Sequence, residues 1–144
     1  MNVNPLSSTT VRTILIVDDE SEILRLTETI LTGQGFDVVM SRGAETAIKS
    51  FIKMSRKPDL VLTDVVMPGM SGPMLVDRLL AVSPSLRVLF MSGYDERQIV
   101  QKYVVDKGFA LLPKPFTPAR LVDAVKTALT APLSPKWPGN GDSA

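Results

Sequence analysis

The chain has 144 residues, long enough for one domain with a substantial core. Lysine and arginine total 16 against 15 acidic residues, so the net charge of +1 makes no electrostatic case for nucleic acid or an anionic membrane surface. Cysteine and histidine are both absent, which excludes disulfides, thiol catalysis, serine–histidine triads, imidazole metal sites and a phosphohistidine within this chain.

Residues 1–10 are polar, lack the basic-then-apolar pattern of a secretory leader, and read as a flexible N-terminal segment. The run Thr13-Ile-Leu-Ile-Val17 stops abruptly at Asp18-Asp19 and predicts a buried strand. From Ser21 to Thr32 the apolar residues Ile23, Leu24, Leu26, Ile30 and Leu31 follow a helical period, and Gly33 and Gly35 end it. Asp37 to Met40 is a second strand and Ala44 to Met54 a second helix. Pro58 breaks the chain before Leu60-Val-Leu62, a third strand ending at Thr63-Asp64. Pro68, Gly69 and Gly72 form a loop, and Pro73 suits the first turn of a helix running to about Val82. Arg87 to Met91 is a fourth strand, ending in Ser92-Gly93, and a helix spans about Glu96 to Val105. Phe109 to Leu112 is a fifth strand, ending at Pro113-Lys114-Pro115, and the last helix runs from about Pro118 to Leu129. The expected organisation is a domain over 11–130 and a flexible Pro/Gly-rich tail or linker over 131–144. No apolar run is long enough to span a bilayer, so a cytoplasmic location without membrane contact is expected.

Five short apolar strands alternating with five helices predict an α/β fold, a doubly wound parallel sheet covered on both faces. Ligands of such sheets bind beyond the carboxyl ends of the strands. The residues there are Asp18 and Asp19 after the first strand, Asp64 after the third, Ser92 after the fourth and Lys114 after the fifth. Clustered carboxylates must be protonated, paired or metal-bound. Hard oxygen ligands without histidine or cysteine suit Mg²⁺. Ser92 can donate to a phosphate oxygen and Lys114 can supply positive charge. One carboxylate can act as nucleophile through an aspartyl phosphate, and Asp64 is the best candidate because its strand lies in the middle of the inferred order.

Ile16-Val17-Asp18-Asp19-Glu20, Asp64 through Gly72, Met91-Ser92-Gly93 and Lys114-Pro115-Phe116 together resemble the receiver domain of two-component response regulators, over roughly Thr13 to Leu129. Each motif alone is weak, but four in order, each at a strand end, are specific. The resemblance implies a flavodoxin-like five-stranded sheet of order 2-1-3-4-5. It implies Asp64 as the phosphorylation site, with Ser92 and Lys114 engaging the phosphoryl group. It implies Mg²⁺ held by Asp19 directly, by Asp18 mainly through water, by Asp64 and by the backbone carbonyl of Val66. The Lys114–Pro115 bond is often cis in this family.

The implied partner is a sensor histidine kinase or a histidine phosphotransfer protein. The implied setting is a stand-alone regulator or the receiver module of a hybrid histidine kinase, self-phosphorylating and self-dephosphorylating, monomeric or weakly dimeric. The first helix's apolar arc is broad: it is either a wide core face or, at Ile23 and Leu26, a docking face for the donor, with Pro113, Phe116, Thr117 and Pro118 lining the adjoining rim. One departure stands out. The family usually places an aromatic residue three positions before the lysine, and here that switch position is Leu111, with Phe109 two residues away on the same face. The competing reading is a phosphorylation-independent interaction module that has kept the fold. A phosphatase of the aspartate-nucleophile type is disfavoured, because Val66 stands where such enzymes place a second aspartate.

Overall fold

The computed structural model describes residues 11–131. The expected N-terminal segment over 1–10, and all but the first residue of the expected tail over 131–144, lie outside the described residues. Five strands, β1 (Thr13–Val17), β2 (Asp37–Ser41), β3 (Leu60–Asp64), β4 (Arg87–Ser92) and β5 (Ala110–Pro113), form one parallel sheet in the order β2-β1-β3-β4-β5. The helices are α1 (Ser21–Gly33), α2 (Ala44–Lys53), α3 (Gly72–Val82), α4 (Arg97–Val100 and its irregular continuation) and α5 (Pro118–Thr130). The fold is the flavodoxin-like one expected.

Strand alternation divides the core into two layers. Ile14, Ile16, Leu60, Leu62, Leu89 and Met91 point to the face covered by α1 and α5, where Leu24, Leu31, Leu121 and Val125 meet them. Leu15, Val17, Val61, Val88 and Phe90 point to the opposite face, against Phe51, Leu75, Leu79, Val100 and Val104. Burial on both faces explains why the strands read as continuous apolar runs rather than alternating ones.

Local chemistry sets the helix starts. Ser71 accepts the Met74 N–H at 3.3 Å and Thr117 accepts the Arg120 N–H at 3.1 Å, each followed by a proline in the first turn. On α1 the broad arc splits: Leu24, Thr27 and Leu31 are buried, Ile23 and Ile30 are half-buried, and Leu26 is 50% exposed. Thr27 is tolerated inside because its hydroxyl donates to the Ile23 carbonyl at 2.7 Å.

The segment after β4 departs from the single helix expected over Glu96 to Val105. It opens with a 3₁₀ turn (Tyr94–Glu96), passes through the α-helical turn Arg97–Val100 and continues as a π-helical turn (Gln101–Val105). The Asp106 N–H donates to the Gln101 carbonyl at 2.9 Å, and the Gln101 side chain donates back to the Asp106 carboxylate at 2.7 Å, closing the wider turn. Gly108 then takes φ +82°, and the Phe109 N–H donates to the Val104 carbonyl instead of joining the sheet. This is why β5 begins at Ala110 and not at Phe109. The Phe109 ring is nevertheless buried, edge-on to Phe90 with ring centroids 5.3 Å apart.

Candidate functional site

Register alone assembles the rim. Val17 pairs with Thr63, Asp64 with Met91, and Ser92 with Pro113, so the next residues along four adjacent strands end level with one another. Asp18, Asp64, Ser92 and Lys114 arrive together from segments far apart in sequence. β1 and β3 flank the point where strand order reverses, the expected position for a ligand site.

Asp18 is fully buried. One of its oxygens accepts the Glu20 N–H at 2.9 Å, which turns the chain into α1. The other accepts from Lys114 Nζ at 3.1 Å. Asp64 is 5% exposed, and Lys114 Nζ lies 3.1 Å from its Oδ1. Lys114 is placed by its own backbone, whose N–H donates to the Ser92 carbonyl at 2.8 Å; the Lys114–Pro115 peptide is cis. Ser92 is buried at the end of β4.

A third carboxylate completes the arrangement. Glu20 Oε1 lies 3.2 Å from Lys114 Nζ, and its side chain is 60% exposed. One oxygen each from Asp18, Glu20 and Asp64 lie within 4.8 Å of one another, the one metal-capable cluster among the described residues. Asp19, half-buried, stands outside that group of three. Val66 follows on the loop after β3 with its side chain 42% exposed.

Crowding shows in the electrostatics. Burial, then the charge of Asp18, push the Asp64 carboxyl up to about 7, although Lys114 pulls the other way. Burial works to lower the Lys114 ammonium, but Asp64 and Asp18 outweigh it and raise it, so it stays protonated. Glu96, half-buried, accepts the Gly93 N–H at 3.3 Å and is raised by burial, an effect the Gly93 bond and Lys114 partly offset.

Behind Asp64 the backbone is tightly seated. The Gly72 N–H donates to the Val65 carbonyl at 2.8 Å. A Cβ on Gly72 would stand 2.0 Å from the Asp64 carbonyl oxygen. Only glycine lets the start of α3 close against the end of β3.

The donor set fits Mg²⁺. It consists of hard carboxylate oxygens, it carries excess negative charge, and the oxygens are nearly close enough to share one small cation.

Of the residues expected at the rim, Asp18, Asp64 and Lys114 are joined directly and Ser92 lies on the adjacent strand end. Of those expected for docking, Leu26, Pro113, Thr117 and Pro118 are exposed, while Ile23 and Phe116 are half-buried. Two contributors went unrecognised in the sequence. Glu20 was visible within the acidic run after β1, but its reach to Lys114 was not. For Gly72 the sequence signals only a loop.

Residues 14–126 match the response regulator receiver domain. The chain is 32% identical over 117 residues to the sensor kinase CckA of Brucella abortus, covering 81% of this chain but only 12% of that protein. It is 31% identical over 116 residues to the sporulation initiation phosphotransferase F of Bacillus subtilis, covering 81% of this chain and 92% of that one. A solved receiver domain protein from Clostridium thermocellum superposes with a TM-score of 0.75 at 26% identity, over 83% of this chain and 94% of that one. With the acidic rim and its lysine in place, the chain belongs to the response regulator receiver domain family, the phosphoacceptors of two-component signalling.

Proposed function

We propose that Asp64 is the phosphoacceptor, in a Mg²⁺-dependent reaction with a phosphohistidine donor on a sensor histidine kinase or histidine phosphotransfer protein. The observation that carries this reading is the Asp64 carboxylate at the end of a strand buried on both faces, with Lys114 Nζ 3.1 Å away and the Asp18 carboxylate beside it.

A carboxylate oxygen of Asp64 attacks phosphorus, the P–N bond breaks, and its electron pair returns to the donor imidazole. Lys114 takes charge on the transferred phosphoryl oxygens, and the Ser92 hydroxyl donates to one of them. Bound Mg²⁺ supplies the positive charge that lets anionic donor and anionic acceptor meet. Asp18 and Asp64, whose oxygens lie together, would hold it with Asp19 and the Val66 carbonyl. Return to the resting state is hydrolysis: water attacks phosphorus, the acyl phosphate P–O bond breaks, and inorganic phosphate leaves.

The donor docks on the exposed side of α1, at Leu26 and Ile23, beside the Pro113, Phe116, Thr117 and Pro118 rim. The unit acts in the cytoplasm as a monomer or weak dimer, either as its own regulator or as the receiver part of a hybrid kinase, and phosphorylation switches its protein partners. No helix among the described residues is long and apolar enough to cross a membrane.

Intact-protein mass after incubation with acetyl phosphate tests the reading. A Mg²⁺-dependent gain of one phosphoryl group, lost in Asp64→Asn, supports it. A gain that persists in Asp64→Asn moves the acceptor elsewhere.

A further inference from the structure

Lys114 stands among three carboxylates that differ in kind. Asp18 and Asp64 are short, buried and fixed by strand ends, whereas Glu20 has a longer arm and a side chain 60% exposed. The oxygens that bind the ammonium come from the same three residues whose oxygens cluster within reach of a divalent cation. A cation drawn to the two buried aspartates therefore meets Lys114 as a competitor already in place. Two positive charges held by two buried carboxylates repel, so Lys114 must gain another partner or lose its own. Expelling an ammonium that is only 12% exposed into disordered solvent would also remove it from where a phosphoryl group arrives.

We propose that Glu20 is a positioning residue that acts through Lys114: it retains the ammonium at the rim when a divalent cation takes Asp18 and Asp64. Glu20 suits this because its carboxylate already lies 3.2 Å from Nζ and its exposure leaves it free to move with the lysine. The turn that presents it is fixed separately, by the Glu20 N–H on the Asp18 carboxylate at 2.9 Å. Glu20 is thus attached by its backbone to one member of the buried pair and by its side chain to the cation that must leave that pair.

This inference rests on the phosphoacceptor reading only for the use made of Lys114, and its test needs no phosphodonor. Mg²⁺ affinity is measured by titration calorimetry on the wild type, Glu20→Gln, Lys114→Met and the double variant, each first shown to be folded. Glu20→Gln is expected to weaken Mg²⁺ binding about two- to fivefold in the wild-type background, the effect of one exposed ion pair. It is expected to lose at least half of that effect in the Lys114→Met background, because the partner through which it acts is gone. Equal weakening in both backgrounds would mean that Glu20 acts on the cation directly and would overturn the proposal. No weakening in either would overturn it too.

A second measurement does not depend on the lysine variant folding. The ¹⁵N-detected ammonium signal of Lys114 at saturating Mg²⁺ should persist in the wild type and broaden in Glu20→Gln. Identical signals in the two proteins count against the retention role. Absence of any Mg²⁺ binding by the wild type would sink the metal-dependent reading as well, whereas additivity with binding intact removes only the role of Glu20.

Discussion

Replacing Gly72 with alanine tests how tightly the end of β3 is held. The added Cβ would lie 2.0 Å from the Asp64 carbonyl oxygen, 3.0 Å from its carbonyl carbon and 3.2 Å from the Val65 Cα. The shortest of these is about 1.4 Å inside ordinary van der Waals contact, and all three atoms are backbone. No side chain can rotate away, so either α3 withdraws or the end of β3 shifts. Overpacking of this kind costs about 1–3 kcal/mol. Bending or losing the Gly72 N–H bond to the Val65 carbonyl adds about 0.5–1.5 kcal/mol. The stiffer unfolded chain offsets about 0.4–1 kcal/mol of this. The expected net loss is about 0.5–4 kcal/mol, or roughly 2–16 °C in melting temperature. Urea denaturation measures it directly, and acetyl phosphate labelling should slow in parallel as Asp64 moves relative to Lys114. A loss below about 0.5 kcal/mol with unchanged labelling would show that α3 slides freely, and the tight seating of Asp64 would be refuted.

Three further outcomes follow from the rim's charges and its surface. Lys114→Met leaves the buried carboxylates of Asp18 and Asp64 without their cation; it should cost about 3 kcal/mol at pH 7.5 in chelator, with Mg²⁺ restoring part of it, as urea denaturation with and without the metal will show. Because the folded state raises the Asp64 carboxyl to about 7 from 3.8, the folded protein binds the extra proton between those values, so stability in chelator should fall as pH climbs from about 4 to about 7. The contribution is on the order of 1–4 kcal/mol, and it appears as the difference between the wild-type and Asp64→Asn stability curves; parallel curves would contradict it. Leu26→Arg, at a half-exposed site, should change stability by less than about 0.5 kcal/mol and slow transfer from a protein donor at least tenfold, with acetyl phosphate labelling unchanged; equal loss of both would remove Leu26 from the docking face.

Much of the architecture could be read from residue order because burial on both faces makes strands conspicuous. β1 spans Thr13–Val17 as expected, and Asp64 and Ser92 close their strands. Strand order came from resemblance, since periodicity carries no information about neighbours. The irregular α4 was hidden because an i+5 turn leaves no apolar signature: Val100 and Val104 keep an ordinary helical spacing, and the Gln101–Asp106 bond that closes the turn joins two exposed polar residues. Thr27 broke the expected apolar stripe because its hydroxyl is satisfied within its own helix. The role of Glu20 is not legible in the sequence for a different reason. Its partner lies 94 residues away, and only the sheet register brings the two together. Leu111 packs in the same core layer as Phe109 and Phe90, and the Phe109 ring lies edge-on to Phe90.

β3 is buried along its whole length, and Asp64 at its end is almost closed over, while Val66 and Glu20 stand open on either side. Asp64 is thus shielded on both sheet faces and approached only at the end of its strand. On the phosphoacceptor reading, a donor must deliver its phosphoryl group at that end, whichever surface holds the rest of it.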